Sequence, residues 1–235
     1  MEQYVAAEQR TKEHTEKEAA SVQKSRLGYR IVKRAFDFIS SLLLGIVILI
    51  PCAVIAAIIF ITDPGSPFFV QERLGKGGKM IKVVKFRSMI KNAGDLKNML
   101  TPEQYEIYLK EFKLDDDPRL LPHKVGYYIR RLSIDELPQI IFNIFIPGNM
   151  SVVGPRPILP EELKLNYTPE EQKKLLSVKP GLTGYWQAYG RNKVVYANGE
   201  RQRMELYYCD NCSVWFDIKI IFKSVFAVLK REGAK

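Results

Sequence analysis

Two adjacent carboxylates, Asp135 and Glu136, have the residue types and the position to do chemistry on a phosphate. Pro138 follows closely, and because it lacks an amide hydrogen it is typical of the first turn of a helix. In a structural interpretation, Asp135 caps that helix and Glu136 interacts favourably with its dipole. In a functional interpretation, one carboxylate attacks phosphorus to form an aspartyl phosphate and its neighbour assists. The local sequence fits both interpretations.

Arginines near the acidic pair could bind the charged oxygens of such a substrate. Arg130 lies shortly before the pair, and a guanidinium binds planar oxyanions through two parallel hydrogen bonds. Arg156 lies between two prolines that restrict the backbone and could hold it still, although a plain turn with a solvated arginine has the same sequence. Because a carboxylate and a pyrophosphate repel each other, we expect a magnesium ion at Asp135 to bridge the charges.

Composition narrows the class of protein. The chain has 235 residues, of which 46% are hydrophobic and 26% charged, which excludes a disordered, collagen-like or coiled-coil protein. Lys and Arg number 36 against 26 acids, so the net charge of +10 predicts an anionic partner: nucleic acid, a phospholipid surface or a phosphorylated substrate. Three cysteines are too few for a disulfide scaffold. The sequence contains no phosphate-binding Gly-rich loop and no dinucleotide fingerprint, which argues against a standard kinase or dehydrogenase.

Residues 38–62 form a segment without a single charged residue. As a straight helix it would be about 37 Å long, enough to cross a hydrocarbon core of about 30 Å. We therefore expect it to insert into the membrane. This divides the chain into a polar tail over residues 1–25, a basic flank with the membrane-inserted helix over residues 26–63, and a cytoplasmic catalytic domain over residues 64–235.

The topology of the apolar segment depends on Pro51 and on the flanking charges. Pro51 lies near the centre, where it removes a backbone hydrogen bond and bends the helix at a cost of about 3 kcal/mol. Lys and Arg, which are enriched on cytoplasmic flanks, stand on both sides of the segment. A crossing would put one basic cluster on the wrong side, whereas a helix that turns at Pro51 and leaves by the same face satisfies both. The sequence slightly favours this re-entrant form and leaves a kinked crossing open.

The remainder of the chain predicts short elements. Residues 68–70 and 79–86 predict strands around a Gly-rich turn, and residues 91–112 predict a helix interrupted near Pro102. Apolar residues at helical spacing over residues 218–229 predict a helix that faces either the core or the membrane interface, and the basic residues beside them modestly favour the interface. We expect an α+β, mostly helical fold: an N-terminal re-entrant, Pro-kinked membrane helix packed on a small cytoplasmic catalytic domain with interfacial amphipathic helices.

Eight short motifs over roughly residues 30–230 occur in the same order as in a known protein family. The motifs are Lys33-Arg34-Ala-Phe36-Asp37, Gln71-Glu-Arg-Leu-Gly75, Lys85-Phe-Arg-Ser-Met89, Asp117-Pro-Arg119, Arg130-Arg-Leu-Ser-Ile-Asp-Glu-Leu-Pro-Gln139, Met150-Ser-Val-Val-Gly-Pro-Arg-Pro157, Lys179-Pro-Gly-Leu-Thr-Gly184 and Gly190-Arg-Asn192. No single motif is specific, but jointly they are. The chain resembles the bacterial sugar transferase family, the short monotopic phosphoglycosyl transferases that load a polyprenyl phosphate.

The resemblance implies a reaction and a location. Sugar-1-phosphate would move from a UDP-sugar to undecaprenyl phosphate with release of UMP, as the first membrane step of polysaccharide or glycoconjugate assembly such as capsule, lipopolysaccharide or exopolysaccharide. The enzyme would lie at the bacterial inner membrane, in contact with membrane lipid, with its catalytic domain on the cytoplasmic face. The sequence leaves the sugar undetermined and a homo-oligomer open.

The resemblance also implies roles for residues. In the family, the aspartate of the Asp-Glu pair is the nucleophile of a two-step mechanism through a covalent phosphosugar intermediate, with Mg²⁺ required; that role falls on Asp135, with Glu136 beside it. Cations expected around the phosphates and the nucleotide match Arg130, Arg156, Arg191, Lys85 and Arg87. The sequence departs from the family pattern at Asn149, where an Asp commonly precedes Met-Ser, so no metal role is assigned there.

A different class of protein must be weighed against the enzyme. A non-catalytic, membrane-anchored basic scaffold that binds anionic polymer or lipid would also explain the net charge and the apolar segment. It would not require an Asp-Glu pair beside arginines, nor Arg156 between two prolines, so the sequence favours the enzyme. Nucleic-acid binding explains only the charge, and we do not expect it.

Overall fold

A computed structural model describes residues 2–111, 114, 117–190 and 199–229, with side chains for residues 27–108, 114, 117–190 and 199–227. It is mostly helical with two small sheets, in agreement with the expected α+β class. The helices are α1 (Glu2–Thr62), α2 (Leu96–Met99), α3 (Pro102–Glu111), α4 (Val125–Arg131), α5 (Pro160–Asn166), α6 (Pro169–Leu175), α7 (Tyr185–Tyr189), α8 (Glu200–Asn211) and α9 (Val214–Leu229). The strands are β1 (Phe68–Leu74), β2 (Met80–Phe86), β3 (Ser151–Val153) and β4 (Gly181–Thr183). Lys76–Gly78 and Ile134–Glu136 are 3₁₀ turns, and Ile140–Phe145 is a π-helix.

Strands β1 and β2 form an antiparallel hairpin whose register pairs Phe68 with Phe86 and Leu74 with Met80. Gly77 and Gly78 in the connecting turn have φ of 71° and 75°, a left-handed conformation that favours glycine. The two predicted strands and the Gly-rich turn are therefore confirmed, and the first strand is longer than predicted. Strands β3 and β4 pair in parallel and form a separate two-stranded sheet.

The helix predicted over residues 91–112 is wrong in its first part. Helix α2 starts only at Leu96, after a series of turns. The predicted interruption is confirmed, because Thr101 and Gln104 form reciprocal hydrogen bonds between side chain and backbone and Pro102 begins α3. Such a capping arrangement satisfies the amide groups exposed at a helix start. The end of the predicted helix lies outside the described residues.

The first half of the apolar segment of α1 is attached to the region around β3 and the π-helix. Asp37 is buried, and its Oδ1 accepts hydrogen bonds from Ser151 Oγ and Val152 N, both at 2.9 Å. One residue later, Phe38 packs against Phe145, with ring centroids 5.1 Å apart. These contacts bind the start of the apolar segment to the domain that follows it.

The second half of the segment packs against β2 and α4. Ile59 is fully buried in a cluster with Phe86, Leu121 and Ile129. At the end of the helix, the Asp63 carboxylate and carbonyl both accept hydrogen bonds from the guanidinium of Arg87. Both ends of the apolar segment are thus bound to the same domain.

The opposite face of α1 is apolar and exposed. Ile50 and Ile61 are 75% and 79% exposed, and most of their apolar neighbours on this face are also open. Among the described residues, one helical stretch, Leu27–Thr62, is long enough and apolar enough to cross a membrane. The helix continues through Pro51. A large exposed apolar face is typical of a membrane protein, while the re-entrant turn at Pro51 stays a prediction.

Helix α9 has two apolar faces. Asp217, Ile220 and Ala227 are buried against the domain, whereas Trp215 and Phe222 are exposed on the other side. The predicted helix and its core-facing side are confirmed. Its interfacial side stays a prediction.

Candidate active site

Asp135 and Glu136 lie in the 3₁₀ turn that joins α4 to the π-helix. The chain reverses at Ser133, whose φ of 55° and ψ of 26° place it in the left-handed region, where a non-glycine residue is uncommon. Asp135 occupies the middle of the 3₁₀ turn, and the helical segment after Pro138 has no side-chain cap. The structural interpretation of Asp135 as a helix N-cap is therefore wrong. Unusual backbone conformations are concentrated at functional sites, and here one immediately precedes the acidic pair.

Lys85 at the end of β2 contacts both carboxylates. Its Nζ lies 2.7 Å from Glu136 Oε1 and 3.8 Å from Asp135 Oδ2. The strand is held in place by the buried Asn143 of the π-helix, which accepts a hydrogen bond from Val84 N at 3.0 Å. Because the π-helix directly follows the acidic turn, this bond fixes Lys85 relative to the two carboxylates.

The environment of Asp135 raises its pKa to about 6. Burial is the largest cause, since a carboxylate is poorly solvated there, and the neighbouring charge of Glu136 acts in the same direction. Lys85 and Arg130 lower the pKa and limit the shift. Asp135 is therefore mainly ionised at neutral pH but binds a proton more readily than an ordinary aspartate.

Arg130 is oriented by a residue that sequence reasoning did not assign. Its Nε donates a hydrogen bond to Ser88 Oγ at 2.9 Å, and its charge acts on Asp135. The neighbouring Asp117–Arg119 pair is buried, with Arg119 Nη2 2.6 Å from Asp117 Oδ2. The charges of both residues of this pair act on the Arg130 guanidinium.

Arg156 is held by two glutamates that sequence reasoning also missed. Its backbone N donates to Glu205 Oε2 at 3.1 Å, and its Nη1 donates to Glu162 Oε1 at 3.3 Å. Glu205 is 2% exposed, and burial raises its pKa to about 7. These contacts agree with the expectation that the Pro-Arg-Pro segment holds an arginine still. No local pattern marks the two glutamates as its partners.

Glycines let the Pro-Arg-Pro segment approach β4 closely. A Cβ on Gly181 would lie 2.1 Å from the backbone N of Gly154, and a Cβ on Gly184 would lie 2.2 Å from its carbonyl oxygen. Only residues without a side chain fit at these contacts. The conformation of Arg156 therefore depends on the Lys179-Pro-Gly-Leu-Thr-Gly184 motif, far along the chain.

Three of the predicted residues meet at one cavity of about 550 Å³. Lys85, Glu136 and Arg156 all line it. Gln139, Trp186 and Gln187 also line it, and each has a buried polar atom without a hydrogen-bond partner in the described part of the chain. With Arg73, three cations line this cavity beside one carboxylate and unsatisfied polar groups, and a cavity of this size and lining can bind a polar, anionic molecule.

Asp135 and Arg130 are not among the residues that line this cavity; Asp135 adjoins it through its neighbour Glu136 and through Lys85, 3.8 Å away, which both line it. Two further predicted binding residues are also not brought into it. Arg87 is not among the residues that line it, and its guanidinium instead pairs with Asp63 at the end of α1. Arg191 lies outside the described residues.

The carboxylate oxygens of Asp135 and Glu136 are ligands of the type that the expected magnesium ion prefers. Within the described ranges, no group of three or more Asp, Glu, His or Cys residues could hold a metal alone. Mg²⁺, however, is commonly bound by one or two carboxylates together with substrate phosphates. Asp135, with Glu136 beside it, could supply that share of the ligands.

Comparison with known proteins gives concordant matches. The bacterial sugar transferase family model matches residues 28–231. The UDP-galactose-lipid carrier transferase of Erwinia amylovora is 40% identical over 208 residues, which cover 87% of this chain and 42% of that protein. The undecaprenyl-phosphate galactose phosphotransferase of Salmonella typhimurium is 39% identical over 208 residues, covering 87% and 42%. The exopolysaccharide production protein ExoY of Sinorhizobium fredii is 38% identical over 207 residues, covering 87% and 88%. The chain thus spans less than half of the first two relatives and most of the third.

Proposed function

The chain belongs to the bacterial sugar transferase family, and on that premise we propose that it transfers sugar-1-phosphate from a UDP-sugar to undecaprenyl phosphate with release of UMP. The names of its relatives refer to UDP-galactose, a lipid carrier, undecaprenyl phosphate and exopolysaccharide production. The observation that carries the proposal is the Asp135 carboxylate, which lies 3.8 Å from Lys85, is acted on by the charge of Arg130, and adjoins Glu136 at a cavity that Arg156 also lines.

The first half of the proposed reaction uses Asp135 as the nucleophile. An oxygen of its carboxylate attacks the phosphorus that carries the sugar, a new P–O bond forms, and the phosphoanhydride bond to UMP breaks. UMP leaves with the electron pair of that bond. In the second half, a phosphate oxygen of undecaprenyl phosphate attacks the same phosphorus, and the Asp135 carboxylate is released. The product is an undecaprenyl diphosphate sugar.

The cations would offset the charge of the diphosphate. Lys85 lies next to both carboxylates, and Arg130 acts on Asp135, so either side chain can draw an anionic donor toward the nucleophile. Arg156 is held by glutamates in a fixed orientation at the cavity wall. A bound Mg²⁺, held by Asp135 with Glu136 beside it, would supply further neutralisation of the phosphate oxygens.

We also propose that both ends of the apolar segment lie on one side of the membrane, with the catalytic domain on the cytoplasmic face. The support is the attachment of Asp37 to Ser151 and of Asp63 to Arg87, residues of one domain. A bilayer-crossing helix would require this domain to reach both sides. A re-entrant or embedded helix requires no such arrangement and leaves the exposed apolar face of α1 in contact with lipid.

Replacement of Asp135 by Asn tests the proposed function. Asn cannot form the acyl phosphate, so purified Asp135→Asn protein should release no UMP from a panel of UDP-sugars in the presence of undecaprenyl phosphate. Asp95→Asn, which changes an exposed carboxylate away from the candidate site, is the matched control and should retain activity.

The intermediate provides a second readout. With donor but no acceptor, intact mass spectrometry of the wild type should detect a mass increase of one sugar phosphate, and the Asp135→Asn protein should show none. Transfer by the Asp135→Asn protein would overturn the assignment of the nucleophile. If no UDP-sugar yields UMP with the wild type, a non-catalytic scaffold becomes the better account.

A further inference from the structure

A second cavity of about 560 Å³ lies between the start of α1 and the domain, and it shares no lining residue with the candidate active site. Basic side chains dominate its polar lining, with only two carboxylates among them. The basic residues are Arg30, Lys33, Arg34, Lys76 and Lys179, and the acidic ones are Asp37 and Asp210. Because positive charge is in excess within this cavity, a bound anion would be stabilised there.

The nearby acids are already occupied by other donors. Asp37 accepts hydrogen bonds from β3, as described above, and Asp210 pairs with Lys174 at 2.9 Å. Asp217, just outside the cavity, accepts from Lys33 Nζ at 2.7 Å and from Tyr208 Oη at 2.7 Å. Among the described side chains, the one ion pair that these acids form with the five cations is Asp217–Lys33, and the charge of Asp37 also acts on Lys33 and Lys179.

Three of the remaining cations make no hydrogen bond or ion pair within the described part of the chain. Arg30, Lys76 and Lys179 form no hydrogen bond or ion pair with any other residue whose side chain is described. Burial lowers the pKa of Lys179, and the charges of Arg34, Lys76 and Lys33 lower it further, while the charge of Asp37 opposes the shift without cancelling it. The pKa of Lys76 is also lowered, first by burial and then by the positive charge of Arg30. The cations repel one another where they stand, and a bound anion would relieve this repulsion.

The surroundings of the cavity indicate where that anion comes from. Val32 and Val214 belong to its lining and are exposed, and Ile31 and Trp215 beside them are 63% and 65% exposed. The uncharged segment of α1 begins only a few residues further on. Basic residues next to a membrane-inserted segment attract anionic lipids, and an exposed Trp is typical of the membrane interface.

We propose that this cavity binds the phosphate of an anionic phospholipid headgroup through Arg30, Lys76 and Lys179. The lipid chains would lie against the exposed apolar face at the start of α1. The site would orient the domain on the membrane surface, and it is separate from the cavity assigned to the reaction. It thus goes beyond the proposed function and does not depend on it.

Direct binding to the full-length protein in uncharged detergent micelles tests this site. The probes are a soluble short-chain phosphatidylglycerol and inorganic phosphate, each titrated by calorimetry. The wild type should bind the lipid saturably, and the Lys76→Gln/Lys179→Gln protein should bind it at least about tenfold more weakly. The matched control, Lys164→Gln/Lys173→Gln, removes two exposed lysines outside the cavity and should change the affinity less than about twofold.

Each other outcome overturns the proposal. An absence of saturable lipid binding, or equal losses in the two double variants, would mean that the cavity does not hold the headgroup. Inorganic phosphate bound as tightly as the lipid would make it a site for free phosphate. If the Lys76→Gln/Lys179→Gln protein does not fold, Arg30→Gln at an exposed position of α1 replaces it and should weaken lipid binding about fivefold; unchanged binding would then refute the site.

Discussion

At the scale of single residues, Asp135 is subject to opposing effects. A nucleophile must be ionised, yet partial burial favours the protonated form and raises its pKa to about 6. Lys85 and Arg130 counter this effect, and in the proposed function they also bind the substrate. The site thus keeps a carboxylate whose negative charge is weakly solvated, and such a group is more reactive than a fully hydrated one.

The raised pKa predicts an acid limit to activity. Because only the ionised carboxylate can attack phosphorus, kcat/KM should fall about tenfold per pH unit as the pH drops below about 6. A pH series of UMP release at low donor concentration measures this limit. Activity that stays constant down to pH 4.5 would show that no group with this pKa controls the reaction.

The same shift must also affect stability, whatever the reaction. Since the folded protein holds this proton more tightly than the unfolded chain, Asp135 favours folding below about pH 4 and loses that contribution as the pH rises to about 6. Above pH 6 the buried charge is a cost that Asp135→Asn removes. Thermal unfolding at pH 7.5 should give a higher Tm for Asp135→Asn than for the wild type, and a lower Tm would contradict the pKa.

Arg130 and its neighbour Arg131 form a natural pair for mutation. Arg130→Ala should reduce kcat/KM about 10- to 100-fold, or about 1.5 to 3 kcal/mol, because charged hydrogen bonds to phosphate are lost. Arg131 donates to Tyr127 Oη at 2.6 Å and packs on that ring, so Arg131→Ala should cost less than about threefold. Comparable losses in the two variants would remove Arg130 from the phosphate site.

At the scale of elements, the close contact between the Pro-Arg-Pro segment and β4 determines where Arg156 stands. Gly181→Ala should destabilise the protein by about 1 to 3 kcal/mol and reduce activity, because its Cβ would lie 2.1 Å from backbone that cannot move alone. Gly94→Ala is the matched control, since no atom lies within 4 Å of a Cβ there. Chemical denaturation measures both, and a Gly181→Ala protein as stable as the control would refute the contact.

Elements with a strong local pattern were predictable from the sequence. The Gly-rich turn between β1 and β2, the start of α3 at Pro102 and the apolar repeat of α9 all follow from neighbours in the chain. The motifs also marked Lys85, Glu136 and Arg156, which the structure brings to one cavity. These predictions succeed because short-range geometry or a family pattern determines them.

The rest of the site could not be predicted because it depends on contacts between distant parts of the chain. Arg130 and Ser88 are 42 positions apart, and Arg156 and Glu205 are 49 apart. Strand β3 has three residues and exists only because β4 pairs with it. A local reading also made Asp135 a helix cap, whereas tertiary contacts place it in a 3₁₀ turn.

At the scale of the whole molecule, α1 combines a helix long and apolar enough to cross a membrane with contacts to the domain that follows it. Along one face it contributes Asp37, Ile59 and Asp63 to contacts with the region after residue 64, and along the other it exposes apolar side chains. From Asp37 to Asp63 a straight helix extends about 39 Å, which exceeds the hydrocarbon core. A helix that contacts the domain at both ends of this length cannot be surrounded by lipid along its whole length.

This geometry predicts that the two ends of the apolar segment are accessible from the same side of the membrane. Single cysteines at Gly28 and Lys91, which flank the segment, can be introduced after replacement of Cys52, Cys209 and Cys212 by Ala. A membrane-impermeant maleimide should label both positions in inside-out vesicles and neither in right-side-out vesicles. Lys164→Cys on α5 is the control that reports the side of the catalytic domain, and it should behave identically. If Gly28→Cys and Lys91→Cys react from opposite sides, α1 crosses the bilayer, and the contacts of Asp37 and Asp63 with one domain could not both exist in the membrane.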